Sequence, residues 1–187
     1  MCYNQLNSHQ AEAAEAVWSV KHLRMRAEQK LVILLAEDDR NDAEIFSHAL
    51  ARSGREAKLE IVGDGEEVME YLRRRGRFRH RRLHPLPDII ILDLKMPRVS
   101  GLELLEWLAK TPQFCRIPKI MLSGSGLQPD VERAYKLGVN TYFTKPFRME
   151  ELQELIATII NYWSKSELPY HRPVEREQQE ERKAFGA

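Results

Sequence analysis

Leu31-Val32-Ile33-Leu34-Leu35-Ala36 is an unbroken apolar run closed abruptly by Glu37-Asp38-Asp39. A run this short and this uniformly apolar predicts a strand buried on both faces, because a strand with one wet face would alternate. Four more strand candidates follow: Leu59-Glu60-Ile61-Val62, Asp88 to Asp93, Ile117 to Leu122, and Thr141-Tyr142-Phe143-Thr144. Between and after them lie segments of helical period. Asn41 to Arg52 carries Ala43, Ile45, Phe46, Ala49 and Leu50 and is stopped by Ser53-Gly54. Gly65 to Arg75 turns Val68, Met69 and Leu72 inward, and Gly101 to Lys110 does so with Leu102, Leu104, Leu105 and Leu108. Asp130 to Leu137 ends at Gly138, and Met149 to Tyr162 carries Leu152, Leu155, Ile156 and Ile159. No hairpin signals join the strands. Alternation of this kind predicts an α/β fold, a parallel doubly wound sheet with right-handed crossovers and helices on both faces.

In such a sheet, ligand chemistry belongs just past the C-terminal ends of the strands. Those positions hold Glu37, Asp38 and Asp39 after the first strand and Asp93 after the third. Ser123 follows the fourth and Lys145 the fifth. Crowded carboxylates repel unless a cation sits among them. Oxygen-only donors favour a hard ion such as Mg²⁺. A lysine and a hydroxyl opposite suit phosphoryl oxygens, and a carboxylate can act as a nucleophile toward phosphorus. The residues alone therefore predict a Mg²⁺-dependent site at which an aspartate receives a phosphoryl group. The bland alternatives are an acidic helix cap at 37–39, a flexible Ser-Gly-Ser-Gly turn at 123–126 and a plain exposed Lys145. The order of the residues and their placement at strand ends argue against all three.

At these residues the chain resembles the receiver domain of two-component response regulators. Asp93-Leu94-Lys95-Met96-Pro97, with Gly101 beyond, is similar to the family's phosphoacceptor segment. Glu37-Asp38 resembles its acidic pair, Ser123-Gly124 its hydroxyl position, and Lys145-Pro146-Phe147 its lysine signature. The resemblance implies a flavodoxin-like (βα)5 fold with strand order 2-1-3-4-5. It implies Asp93 as phosphoacceptor for a sensor histidine kinase. Mg²⁺ would be held by Asp38, Asp93 and the Lys95 backbone carbonyl, with Glu37 acting through water. Ser123 and Lys145 would bind the phosphoryl group, and Ser123 and Tyr142 would form the switch. Lys95 and Ser125 stand at positions that tune acyl-phosphate lifetime, and a cis bond is expected before Pro146. A narrower resemblance, carried by the loop at 76–87 and by Tyr162-Trp163 with Leu168-Pro169, is to the small stand-alone regulators that partner bacterial and cyanobacterial phytochromes. It implies a homodimer through the fourth helix, fifth strand and fifth helix, with Tyr162 and Trp163 at the contact.

The expected organisation is a helical or disordered arm at 1–30, a receiver domain at 31–163 and a polar tail at 164–187. The arm places Trp18 beside Val17, Val20 and Leu23. With 29 basic and 28 acidic residues, the net charge of +1 argues against a general polyanion binder. Cys2 and Cys115 form no disulfide framework, and no apolar run approaches a membrane span, so a cytoplasmic location is expected. Arg73 to Arg82 forms a basic run. Read functionally it is a patch for nucleic acid or an acidic partner, with Phe78 as its one stacking aromatic; read otherwise it is a solvated helix end and loop. A transcription factor would need a further domain, and the short tail leaves little room for one. An aspartate-nucleophile phosphatase would want an acid two residues after Asp93, where Lys95 stands. A phosphorelay intermediate or phosphate sink would use the same site as a signalling output.

Overall fold

The computed structural model describes residues 30–168. Its strands and helices alternate in the order β1 (Leu31–Ala36), α1 (Arg40–Arg52), β2 (Ala57–Val62), α2 (Gly65–Leu72), β3 (Ile89–Leu92), α3 (Gly101–Ala109), β4 (Lys119–Ser123), α4 (Gln128–Lys136), β5 (Thr141–Thr144) and α5 (Met149–Lys165). A short 3-10 turn, Gly76–Phe78, lies between α2 and β3. The expected N-terminal arm, apart from Lys30, and the tail beyond Leu168 lie outside the described residues.

The five strands form one sheet in the order β2-β1-β3-β4-β5, and every pairing is parallel. Side-chain alternation divides the core into two layers. Leu34, Ala36, Ile90, Leu92 and Met121 pack with α2, α3 and α4 residues on one face. Leu31, Ile33, Leu35, Ile89, Ile91, Ile120 and Leu122 pack with α1 and α5 on the other. Two-sided burial explains why β1 and β3 contain no polar residue; each buried Leu or Ile contributes about 1.5–3 kcal/mol. The outer strands β2 and β5 are only partly covered.

Local signals set the helix ends. Asp39 caps α1 by accepting from the Asn41 and Asp42 amides, and Asp64 caps α2 through the Glu67 amide. Ser100 and Glu103 form a reciprocal capping box at α3. Gly138, with φ of 86°, lies just past α4 as expected. Two expectations are corrected. Ile45 is 43% exposed rather than inward, because the buried stripe of α1 runs Ala43, Phe46, Ala49, Leu50 and Ile45 lies about 110° from its centre, beyond its Ala49 edge. Helix α2 stops at Leu72, before the expected Arg75, because Arg74 and Gly76 take positive φ. Among the described residues, no helix is long and apolar enough to cross a membrane.

Candidate functional site

Sheet hydrogen bonding continues one residue beyond three strands and carries the polar residues to one edge. The Glu37 amide donates to the Val62 carbonyl at 3.0 Å, and the Asp93 amide to the Ala36 carbonyl at 3.0 Å. The Lys145 amide donates to the Ser123 carbonyl at 2.8 Å. Backbone register thus places Glu37, Asp93, Ser123 and Lys145 on neighbouring strand ends, and all but Lys145 are buried.

The Lys145 ammonium is the hub. Its Nζ lies 2.6 Å from Glu37 Oε2, 2.8 Å from Asp42 Oδ2 and 3.4 Å from Asp93 Oδ1. Burial works against the Lys145 charge, but hydrogen bonds to Asp42 and Glu37 and the charge of Asp93 outweigh it and hold the lysine above its usual value. Glu37 is pushed up to about 7: burial raises it, Lys145 offsets part of the rise, and Asp93 and Asp42 add to it. Both partners move upward because one ammonium serves three carboxylates. The lysine gains from all of them, while the most enclosed acid remains under-compensated.

The Asp93 carboxylate is hydrogen-bonded within its own loop. Its Oδ2 accepts the Lys95 amide at 2.7 Å, while the Lys95 residue itself is exposed. A Cβ on Gly101 would run into the Asp93 carbonyl oxygen, so the approach of α3 to the Asp93 loop requires glycine there. Arg98, at a φ of 61°, pairs with the buried Asp64, and the Gly65 amide donates to the Val99 carbonyl at 3.1 Å. These contacts tie the loop after Asp93 to the start of α2, a connection the sequence reading did not include. The cis bond expected before Pro146 is not present. No described peptide bond is cis, and trans is the isomer an X–Pro bond favours by about 0.5–1 kcal/mol.

Ser123 ends β4 with its Oγ accepting the Ser125 amide at 3.3 Å. Ser125 Oγ in turn donates to Asp130 Oδ2 at 2.8 Å, near the start of α4. The Tyr142 hydroxyl donates to the Ser125 carbonyl at 2.7 Å. Burial pushes the Tyr142 phenol up, with a hydrogen bond to Ser123 opposing. Ser123, Ser125 and Tyr142 are therefore in direct contact. The dimer candidates differ in setting. Tyr162 is 65% exposed, whereas Trp163 packs partly buried against the α1/α5 core layer.

The donor set fits a hard divalent ion. Among the described residues, no group of three or more His, Cys, Asp and Glu side chains is gathered tightly enough to form an all-side-chain cage. Mg²⁺ asks for less: one or two carboxylates, with other oxygens and water. The exposed Asp38 carboxylate follows Glu37 at the end of β1 and makes no hydrogen bond or ion pair among the described residues, so its oxygens remain open to a cation. Three carboxylates sharing one ammonium also leave an excess of negative charge for a cation to balance. Asp39 is instead committed to capping α1, so the helix-cap reading holds for one member of the acidic triplet. Asp42 was missed by sequence reasoning. Its only signal was an acid in the first helical turn, which caps explain equally well.

The basic run is mostly exposed, but Arg81 is built into the fold. Arg81 donates to the Tyr71 and Leu72 carbonyls at the end of α2, at 3.0 and 2.6 Å. Arg77 pairs with Glu67 at 2.9 Å, and Arg73 stands over the Trp107 ring. Phe78 is 3% exposed, so it offers no face on which a base could stack.

Comparison with known proteins agrees with this geometry. A family model described as the response regulator receiver domain matches residues 33–157. The probable methanogenesis regulatory protein FilR2 of Methanothrix harundinacea is 34% identical over 144 residues, which cover 74% of this chain and 87% of that protein. Response regulator Rcp1 of Synechocystis sp. is 33% identical over 132 residues, 71% of this chain and 88% of Rcp1. The crystal structure of the phosphorylated cyanobacterial phytochrome response regulator RcpA matches with a TM-score of 0.69 at 34% identity, covering 76% of this chain and 100% of that one. The Mn²⁺-bound form of Rcp1 matches with a TM-score of 0.65 at 33% identity, covering 75% and 99%.

Proposed function

Because this chain belongs to the response regulator receiver domain family, we propose that it is a single-domain regulator that accepts a phosphoryl group on Asp93 from a sensor histidine kinase. Residues 31–163 are its receiver unit. The observation that carries this reading is the convergence of Glu37, Asp93 and Lys145 on one strand-end edge, with the Lys145 ammonium 3.4 Å from Asp93 Oδ1. An Asp93 carboxylate oxygen attacks phosphorus, the P–N bond of the kinase phosphohistidine breaks, and the histidine nitrogen leaves with the bonding pair. The Lys95 amide fixes the nucleophile's orientation, and Lys145 faces the charge that develops on the phosphoryl oxygens. Asp38, Asp93 and the Lys95 carbonyl would hold Mg²⁺, with Glu37 acting through water, and the ion would supply further charge compensation for those oxygens.

Ser123 then donates to a phosphoryl oxygen and draws on Ser125 and Tyr142, which it already contacts, so the signal passes toward α4 and β5. Lys95 and Ser125 border the acyl phosphate and set its lifetime. A phytochrome-type kinase is the partner best supported, because RcpA, a cyanobacterial phytochrome response regulator, is 34% identical and matched over its whole length. The output is a changed surface on α4, β5 and α5, including a homodimer contact through Tyr162. The experiment is intact mass with acetyl phosphate and Mg²⁺. Wild type should gain one phosphoryl group and Asp93→Asn none; an unlabelled wild type would overturn the proposal.

A further inference from the structure

We propose that Asp42 is a latch for Lys145, a positioning residue that holds the ammonium off Asp93 until a phosphoryl group arrives. The inference rests on the receiver reading above. The three carboxylates around Lys145 are not equivalent. Glu37 and Asp42 lie at 2.6 and 2.8 Å, the range of charge-assisted hydrogen bonds, while Asp93 lies at 3.4 Å. An ammonium has three donors. Two of them are committed to Glu37 and Asp42, so the Lys145–Asp93 contact is the loose one.

A phosphoryl group on Asp93 adds about 1.5–2 negative charges and three strong acceptors. Lys145 must then give up a partner. Releasing Glu37 would break the shortest of the three contacts, to a carboxylate whose side chain is only 6% exposed and which water can barely reach. Asp42 has a side chain 44% exposed and can return to water. It also stands in the first turn of α1, where the helix N-terminus favours a free carboxylate. Its amide is held by the Asp39 cap at 3.3 Å, so its backbone stays in place when the ion pair opens. Asp42 is thus the partner that exchanges. Its pull on Lys145 opposes the phosphorylated state, and the exchange frees a charge on the exposed start of α1.

The test uses the full chain with Mg²⁺ and beryllofluoride, a phosphoryl mimic, with affinity measured by calorimetry. Asp42→Asn should bind the mimic about fivefold more tightly than wild type, the scale of one half-exposed ion pair. Asp42→Glu should restore wild-type affinity. Glu44→Gln removes the same charge from an exposed position on the same helix and should change nothing. Equal or weaker binding by Asp42→Asn, beside a wild type that binds, overturns the latch and leaves the receiver reading standing. A matching gain in Glu44→Gln also overturns it, as a general charge effect. A wild type that fails to bind the mimic overturns both.

Discussion

Glu37 shows how a site residue can work against the stability of its own fold. Its native value of about 7 lies above the ordinary 4.5, so between those limits the folded chain holds a proton that the unfolded chain has released. The stability this group contributes is present in full below about 4.5 and is lost as pH rises through 7. In metal-free protein, Glu37→Gln should therefore flatten the fall in unfolding free energy across that window, measured by urea denaturation at a series of pH values. Gly101 is the opposite case, a residue whose whole value is steric. Gly101→Ala must push α3 or the Asp93 loop aside, at about 1–3 kcal/mol. Denaturation should report that loss, and acetyl-phosphate labelling should slow with it. At this scale Asp93 and Lys145 were legible because strand-end position alone marks them. Asp42 was not, since its partner lies more than a hundred residues away and only the packing of α1 brings the two together.

The segment from Arg73 to Leu86 keeps most of its arginines in solvent, as a solvated helix end should, yet its apolar residues make it an ordered cover. Tyr71 is fully buried and donates its hydroxyl to the Pro85 carbonyl at 2.6 Å. Phe78 and His84 close a three-ring cluster around it. His84 and Lys58 tie the segment to the edge strand β2, through Glu60 and the Leu83 carbonyl. Arg81 donates to two carbonyls at the α2 terminus, Leu72 and Tyr71, the second of which also accepts the Arg74 amide. Arg81→Ala should cost about 1–3 kcal/mol and speed amide exchange through 80–86, while Arg82→Ala, at an exposed position, should do neither. The sequence reading anticipated arginine at a helix C-terminus, but not which arginine.

At the scale of the whole molecule, the two core layers assign different roles to adjacent aromatics on α5. Trp163 packs with the α1/α5 layer, so Trp163→Ala should destabilise the protein by about 2 kcal/mol in denaturation. Tyr162 is largely outside the core, so Tyr162→Ala should leave stability unchanged and weaken self-association, measured by sedimentation over a range of concentrations. The sequence by itself determined the five-strand alternation, the two-sided burial of the central strands, most helix ends and the strand-end positions of Glu37, Asp93, Ser123 and Lys145. Those follow from local rules: periodicity, capping, and the geometry of parallel sheets. Only the tertiary structure decided that Lys145 divides itself among three carboxylates, that Arg98 pairs with Asp64, that Ile45 faces out and Trp163 in, and that the bond before Pro146 is trans. Each of these depends on how side chains distant in sequence compete for one partner or one packing space, and that competition has no expression in the chain until the sheet and its helices have closed together.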